Sequence, residues 1–213
     1  MEYSQYISEF LVIALAHLFA VASPGPDFAI VMKHSINFGK RVAIITSAGI
    51  AVAIFVHVAY ALAGIGLVIN STPWLYKLLI IFASIFLLYL GYGAIKSKPH
   101  DEYETRSNNI EGQISSKKAF LLGFVTNGLN PKATIFFLSL FTVSVSSSTP
   151  LLIKGVYGLY LAIATFIWFL FLSLILTKPA IRQSFALKGY MFERGMGVIF
   201  ILLALNILYS EIL

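Results

Sequence analysis

The chain contains no cysteine, which excludes a disulfide framework and any thiolate-bound metal. Charge is scarce too: Asp, Glu, Lys and Arg make up 11% of the 213 residues, against roughly 25% in an average soluble domain. Neither a Gly-x4-Gly-Lys-Ser/Thr phosphate loop nor a His-Glu-x-x-His zinc motif occurs, so ATP-driven pumping and zinc-protease chemistry lack their usual machinery. No set of paired acid, base and nucleophile marks an intramembrane enzyme.

What fills the chain instead is apolar. Hydrophobic residues make up 59% of it, and the mean hydropathy is +0.88. A membrane helix needs about 20 apolar residues to cross a hydrocarbon core about 30 Å thick. Six runs meet that length, at roughly 7–32, 42–69, 74–95, 119–143, 151–176 and 190–209. They are too long and too continuous for the alternating strands of an outer-membrane barrel. The expected fold is an all-α integral membrane protein with six transmembrane helices. The first run lacks a basic leader and an Ala-x-Ala cleavage pattern, and Glu2 and Glu9 flank it, so it reads as a retained first span.

The formal charge of +6 points to membrane orientation, not to nucleic acid, because the basic residues lie in loops beside apolar runs. Lys33, Lys40 and Arg41 follow the first run. Lys96, Lys98, Arg106, Lys117 and Lys118 follow the third, and Lys178, Arg182, Lys188 and Arg194 follow or border the fifth. The other side has only Lys77 and Lys154 near its loops. By the positive-inside rule the basic loops face the cytoplasm and both termini lie outside it.

Two of the runs are interrupted. Ser23-Pro24-Gly25-Pro26-Asp27 breaks the first, and Asn130-Pro131-Lys132-Ala133 breaks the fourth at the corresponding place. Ser23 and Asn130 are N-cap types, and the prolines suit a first helical turn, where an amide donor has no intrahelical partner. Both stretches therefore read as helix restarts inside the membrane, whose positive ends can face anionic groups near the midplane. With Pro24 placed on Pro131, Gly49-Ile50-Ala51 falls close to Gly158-Leu159-Tyr160. Three spans per half then force the copies into opposite orientations. The expected organisation is two inverted three-helix repeats, 1–96 and 119–213, with broken helices 1 and 4 and a polar cytoplasmic connector at 97–118.

Ionisable groups inside spans are costly and serve as the site candidates. Asp27 stands in the first turn after the first break, and Lys132 in the first turn after the second, where the helix dipole disfavours a cation. Ion pairing is the plainer reading of both. His17, less than two turns before the first break, and His57 could relay protons, although a lone intramembrane histidine is more often a packed, hydrogen-bonded residue. Asn127 and Asn130 supply donors and acceptors beside the second break, with helix packing and capping as their structural readings. Pairs such as Gly91-Tyr92-Gly93 and Gly195-Met196-Gly197 read as close helix packing. One carboxylate and scattered histidines are too few ligands for a metal site, and no cofactor is expected.

These residues carry a resemblance. Ser23-Pro24-Gly25-Pro26-Asp27 together with Thr126-Asn127-Gly128-Leu129-Asn130-Pro131-Lys132-Ala133 resembles the lysine exporter superfamily, in particular its threonine and homoserine efflux branch, over nearly the whole chain apart from 97–118. His17, six residues before Ser23, is similar to the threonine-exporting members. The resemblance implies a bacterial inner-membrane exporter of small amino acids driven by proton exchange. It transfers site positions to Pro24, Gly25, Pro26, Asn130, Pro131 and Lys132. Partner expectations are a small amino acid, protons and the lipid bilayer, with room for a homo-oligomer and none for nucleic acid. Export of a cation, or a non-transporting membrane subunit, stands as the alternative.

Overall fold

A computed structural model describes residues 2–23, 25–71, 73–98, 114–176 and 178–212. Among them every regular element is helical. The helices are α1 Glu2–Ala22, α2 Pro26–Asn37, α3 Lys40–Ser71, α4 Pro73–Ile95, α5 Ser116–Gly128, α6 Pro131–Ser144, α7 Leu151–Ile175 and α8 Pro179–Ile212. Three described stretches are long and apolar enough to cross a membrane: Ser4–Ala22, Lys40–Ala63 and Leu151–Ile175. Most of the 97–118 connector, and Pro24, lie outside the described residues.

Both interrupted runs do leave the helix. The first is divided between α1 and α2, with Pro26 opening α2, and the second between α5 and α6, with Pro131 opening α6. Proline at the first helical position loses no hydrogen bond, since that amide is an orphan in any helix. The capping differs between the two. Asn130 Oδ1 accepts from the backbone N–H of Lys132 at 3.0 Å, an N-cap bond. Ser23 does not cap α2, contrary to the sequence reading, because Gly25, itself extended, is the residue in the N-cap position. Helix α2 thus starts without a side-chain cap.

Helix α3 lies at the centre, packed on α2, α4, α5, α6 and α7. Its approach to α5 is closer than any side chain permits. A Cβ on Gly49 would lie 2.1 Å from the carbonyl oxygen of Phe120, and one on Gly123 would lie 2.1 Å from that of Thr46. Helices α4 and α8 meet in the same way. A Cβ on Gly91 would stand 2.8 Å from Gly197 O, and one on Gly197 would stand 2.7 Å from Gly91 O. Apolar tails are as hydrophobic as leucine, so close backbone packing is what holds membrane helices together.

The apolar interior divides into two clusters. The larger gathers Ile13, Leu140, Phe141, Tyr157, Leu161 and their neighbours from α1, α3, α4, α6, α7 and α8. The smaller joins Phe28, Val31 and Met32 of α2 to Ala43 and Ile50 of α3, to Phe169 and Leu172 of α7 and to Leu176 just after it. Each is accompanied by a polar tie. Near the larger one Glu9, expected as a flanking charge, is instead buried. It accepts from Gln5 Nε2 at 2.9 Å, Ser146 N at 3.1 Å, Thr149 Oγ1 at 2.9 Å and Tyr157 Oη at 3.2 Å. These bonds join α1 to α7 and to the turn that precedes it. On the smaller side His34 Nδ1 and Thr46 Oγ1 are 2.6 Å apart, and Ser35 Oγ donates to Ser173 O at 3.3 Å.

Gly49→Ala and Gly123→Ala should each lower the stability of the detergent-solubilised protein by about 1–3 kcal/mol or more, the usual cost of overpacking. Gly155→Ala, whose added Cβ meets nothing within 4 Å, should stay within about 0.5 kcal/mol. Thermal unfolding of the three variants side by side checks the α3–α5 contact, and equal melting points would contradict it.

Candidate functional site

A cavity of about 80 Å³ lies where the two apolar clusters meet. One buried water needs about 10–15 Å³ by the same measure, so the space holds several waters or one small solute. Both helix breaks border it. Its wall contains His17, Ser23, Gly25, Pro26 and Asp27 from the α1–α2 side and Asn127, Asn130 and Lys132 from the α5–α6 side. The structure therefore brings together every described sequence candidate except Pro131, whose part is to start α6, and His57.

A hydrogen bond joins the two sides. Asn127 Nδ2 donates to Asp27 Oδ2 at 2.9 Å across 100 residues of sequence. Asp27 is delivered by the first turn of α2 and Asn127 by the last turn of α5. The backbone carbonyl of Asn127 accepts from His57 Nε2 at 3.0 Å, and His57 Nδ1 lies 3.3 Å from Thr134 Oγ1. With both ring nitrogens engaged and its ring stacked on Phe137 at 5.5 Å, His57 braces the second break from behind. It does not line the cavity.

Four side-chain atoms on the wall are buried and have no hydrogen-bond partner among the described residues: Asp27 Oδ1, Asn127 Oδ1, Ser23 Oγ and His17 Nδ1. Unpaired buried polar atoms are rare and costly in folded proteins. A polar occupant of the cavity, water or a small solute, would satisfy them. Asp27 Oδ1 and Asn127 Oδ1 are acceptors, Ser23 Oγ is donor or acceptor, and the cationic side chain of Lys132 is exposed at the cavity wall. The remaining wall is aromatic and apolar, from Phe28, Phe136, Phe137, Phe169, Phe200 and Ile54, which limits the size of what enters.

Thr165 was not among the sequence candidates. It is buried on α7, lines the cavity and stands 3.0 Å from His17 Nε2. A signal was present: Thr165 is a lone hydroxyl in the apolar run Leu161-Ala162-Ile163-Ala164-Thr165-Phe166-Ile167, where a polar atom requires a partner. The aromatic wall left no such signal, because phenylalanine is frequent throughout the chain.

The family model described as LysE type translocator matches residues 18–211. Among curated proteins, the threonine efflux protein of Escherichia coli (strain K12) is 26% identical over 203 residues, covering 95% of this chain and 98% of its own length. The threonine efflux protein of Salmonella typhi is 27% identical over 207 residues with the same coverage. The uncharacterized membrane protein YahN of Escherichia coli (strain K12) is 24% identical over 190 residues, 89% of this chain and 84% of that one. No solved structure matches the chain.

The bond between the breaks can be weighed directly. Asn127→Ala should cost about 1–3 kcal/mol of stability, the usual consequence of leaving a buried acceptor without its donor. In an Asp27→Ala background the same change should cost measurably less. Equal costs in both backgrounds, by thermal or denaturant unfolding, would show that the two side chains do not interact.

Proposed function

The chain belongs to the LysE type translocator family, and from that premise we propose that it is a secondary transporter that exports a small neutral, threonine-like amino acid in exchange for protons. A translocator moves its solute without making or breaking a covalent bond, so the chain is a transporter and not an enzyme. The threonine efflux proteins among its relatives support the substrate class.

The observation that carries the reading is the convergence of both helix breaks on one cavity with unpaired polar atoms. An amino acid presents an anionic carboxylate and a cationic ammonium, and the wall offers a complement to each. Lys132, the start of α6 and the uncapped start of α2 supply positive potential for the carboxylate. Asp27 Oδ1 and Asn127 Oδ1 are acceptors for the ammonium donors. Asp27 cannot hold an ammonium and a proton on the same oxygen at once. It takes them in turn, and that exclusion couples the outward passage of substrate to the inward passage of a proton.

The same reading includes six spans in two inverted repeats, 1–96 and 119–213, in a bacterial inner membrane with both termini outside the cytoplasm. Part of the helix-contact pattern is consistent with the repeat, although α2–α3, α4–α6 and α1–α8 have no counterpart of similar extent among the described residues. When α1 to α4 are exchanged for α5 to α8, the α1–α6 contact becomes α2–α5, α1–α7 becomes α3–α5 and α2–α7 becomes α3–α6, all of which occur. The α3–α7 and α4–α8 contacts map onto themselves. Inverted repeats give a carrier two equivalent openings around one site, and the apolar clusters on either side of the cavity are the surfaces that part in alternation.

Proteoliposomes preloaded with a panel of labelled amino acids test this. Threonine-sized neutral amino acids should leave, and an acidic exterior should speed their efflux severalfold. Efflux of no amino acid would overturn the export reading, and efflux indifferent to the pH gradient would remove the proton. Asp27→Asn should slow exchange and abolish the response to the gradient, whereas a full response in that variant would take Asp27 out of the coupling role.

A further inference from the structure

One end of the cavity is left without a task when the carboxylate and ammonium of an amino acid are placed. His17 precedes Ser23 by six residues, about 9 Å along the α1 axis, so its ring meets the cavity at a different height from Asp27 and the breaks. It is 2% exposed, and Thr165 is 1% exposed. Their side chains are 3.0 Å apart through His17 Nε2, while Nδ1 is buried, on the cavity wall, and without a partner among the described residues. The ring is fixed on its other sides by Phe137, with centroids 6.1 Å apart, and Tyr160 at 6.5 Å. A buried imidazole nitrogen held rigidly against an otherwise aromatic wall needs a hydrogen-bonding group on the occupant.

We propose that His17 and Thr165 form the specificity-determining pair of the carrier, and that Nδ1 of His17 reads a hydroxyl on the side chain of the exported amino acid. The assignment rests on the export reading above and names the part of the substrate that this reading leaves open. Hydrogen-bond chemistry selects the hydroxyl. If His17 donates from Nε2 to Thr165, Nδ1 is an acceptor and receives the hydroxyl proton. If Thr165 donates to Nε2, Nδ1 carries the hydrogen and donates to the hydroxyl oxygen. A hydroxyl satisfies either tautomer, because it both donates and accepts. The methyl group that replaces it in valine satisfies neither and leaves Nδ1 unpaired in the loaded carrier. Sites built to bond a substrate hydroxyl reject the analogue that lacks it far more strongly than apolar pockets tell methyl groups apart.

The test is the ratio of threonine to valine efflux from preloaded proteoliposomes, since the two differ by a hydroxyl for a methyl at nearly constant shape. The ratio also cancels differences in the amount of folded protein. The native chain should favour threonine by at least about tenfold. His17→Phe, which keeps a ring of similar bulk, and Thr165→Val should each bring the ratio close to one, with threonine efflux falling more than valine efflux. His17→Gln, which retains a hydrogen-bonding group, should keep a preference for threonine above that of His17→Phe. A native ratio near one, or an unchanged ratio in both His17→Phe and Thr165→Val, overturns the assignment while leaving amino-acid export intact. Absence of efflux for every amino acid overturns the export reading and this assignment with it.

Discussion

The hydrogen bond from Asn127 to Asp27 is the constraint on which the site depends. It joins the last turn of α5 to the first turn of α2, and so fixes two helix ends that are distant in sequence against one another. Through its backbone carbonyl the same asparagine holds His57 of α3, which is locked to α5 at Gly49 and Gly123. A single residue thereby ties both breaks to the central helix. The arrangement also explains why the cavity stays polar within an apolar interior: Asn127 satisfies one oxygen of Asp27 and leaves the other to the space between the breaks.

Around that point the molecule is built in two unequal parts. The larger apolar cluster is accompanied by the Glu9 tie at the N-terminal end of α1, and the smaller cluster by the His34–Thr46 and Ser35–Ser173 bonds. In the exchange cycle proposed here one cluster parts while the other stays shut. The glycine contacts at α3–α5 and α4–α8 hold those backbones closer than a side chain allows, so in the proposed cycle these pairs are the parts expected to move as units. In that cycle, a substrate that bridges the breaks would pair polar atoms that line the cavity.

Much of this was legible in the sequence because it is carried by residues that stand out in an apolar chain. Proline and glycine inside long hydrophobic runs marked both breaks, and Asn130, Asp27 and Lys132 could be located from helix-end chemistry alone. Ser23 was misplaced as a cap because the restart lies at Pro26, two residues beyond the reach such a cap requires, and local composition does not distinguish the two starts. Glu9 looked like a flanking charge, since its four hydrogen-bond donors come largely from residues 146–157, which only the packing of α1 beside α7 brings near. Thr165 showed only as a lone hydroxyl in an apolar run, and the phenylalanine wall was unreadable: which face of α6, α7 or α8 meets the cavity is decided by neighbouring helices and leaves little periodicity when lipid and core are both apolar.

The central claim is that a zwitterion bridges the two breaks. Because the chain has no cysteine, Ala133→Cys places a single thiol on the cavity wall in the first turn of α6, where its reaction with a small maleimide reports occupancy. Threonine should slow that reaction in a saturable way, while the amine lacking its carboxylate and the hydroxy acid lacking its ammonium should leave it unchanged at the same concentration. Protection by either half-molecule as strong as that by threonine, or no protection by any amino acid that the protein exports, would contradict the account.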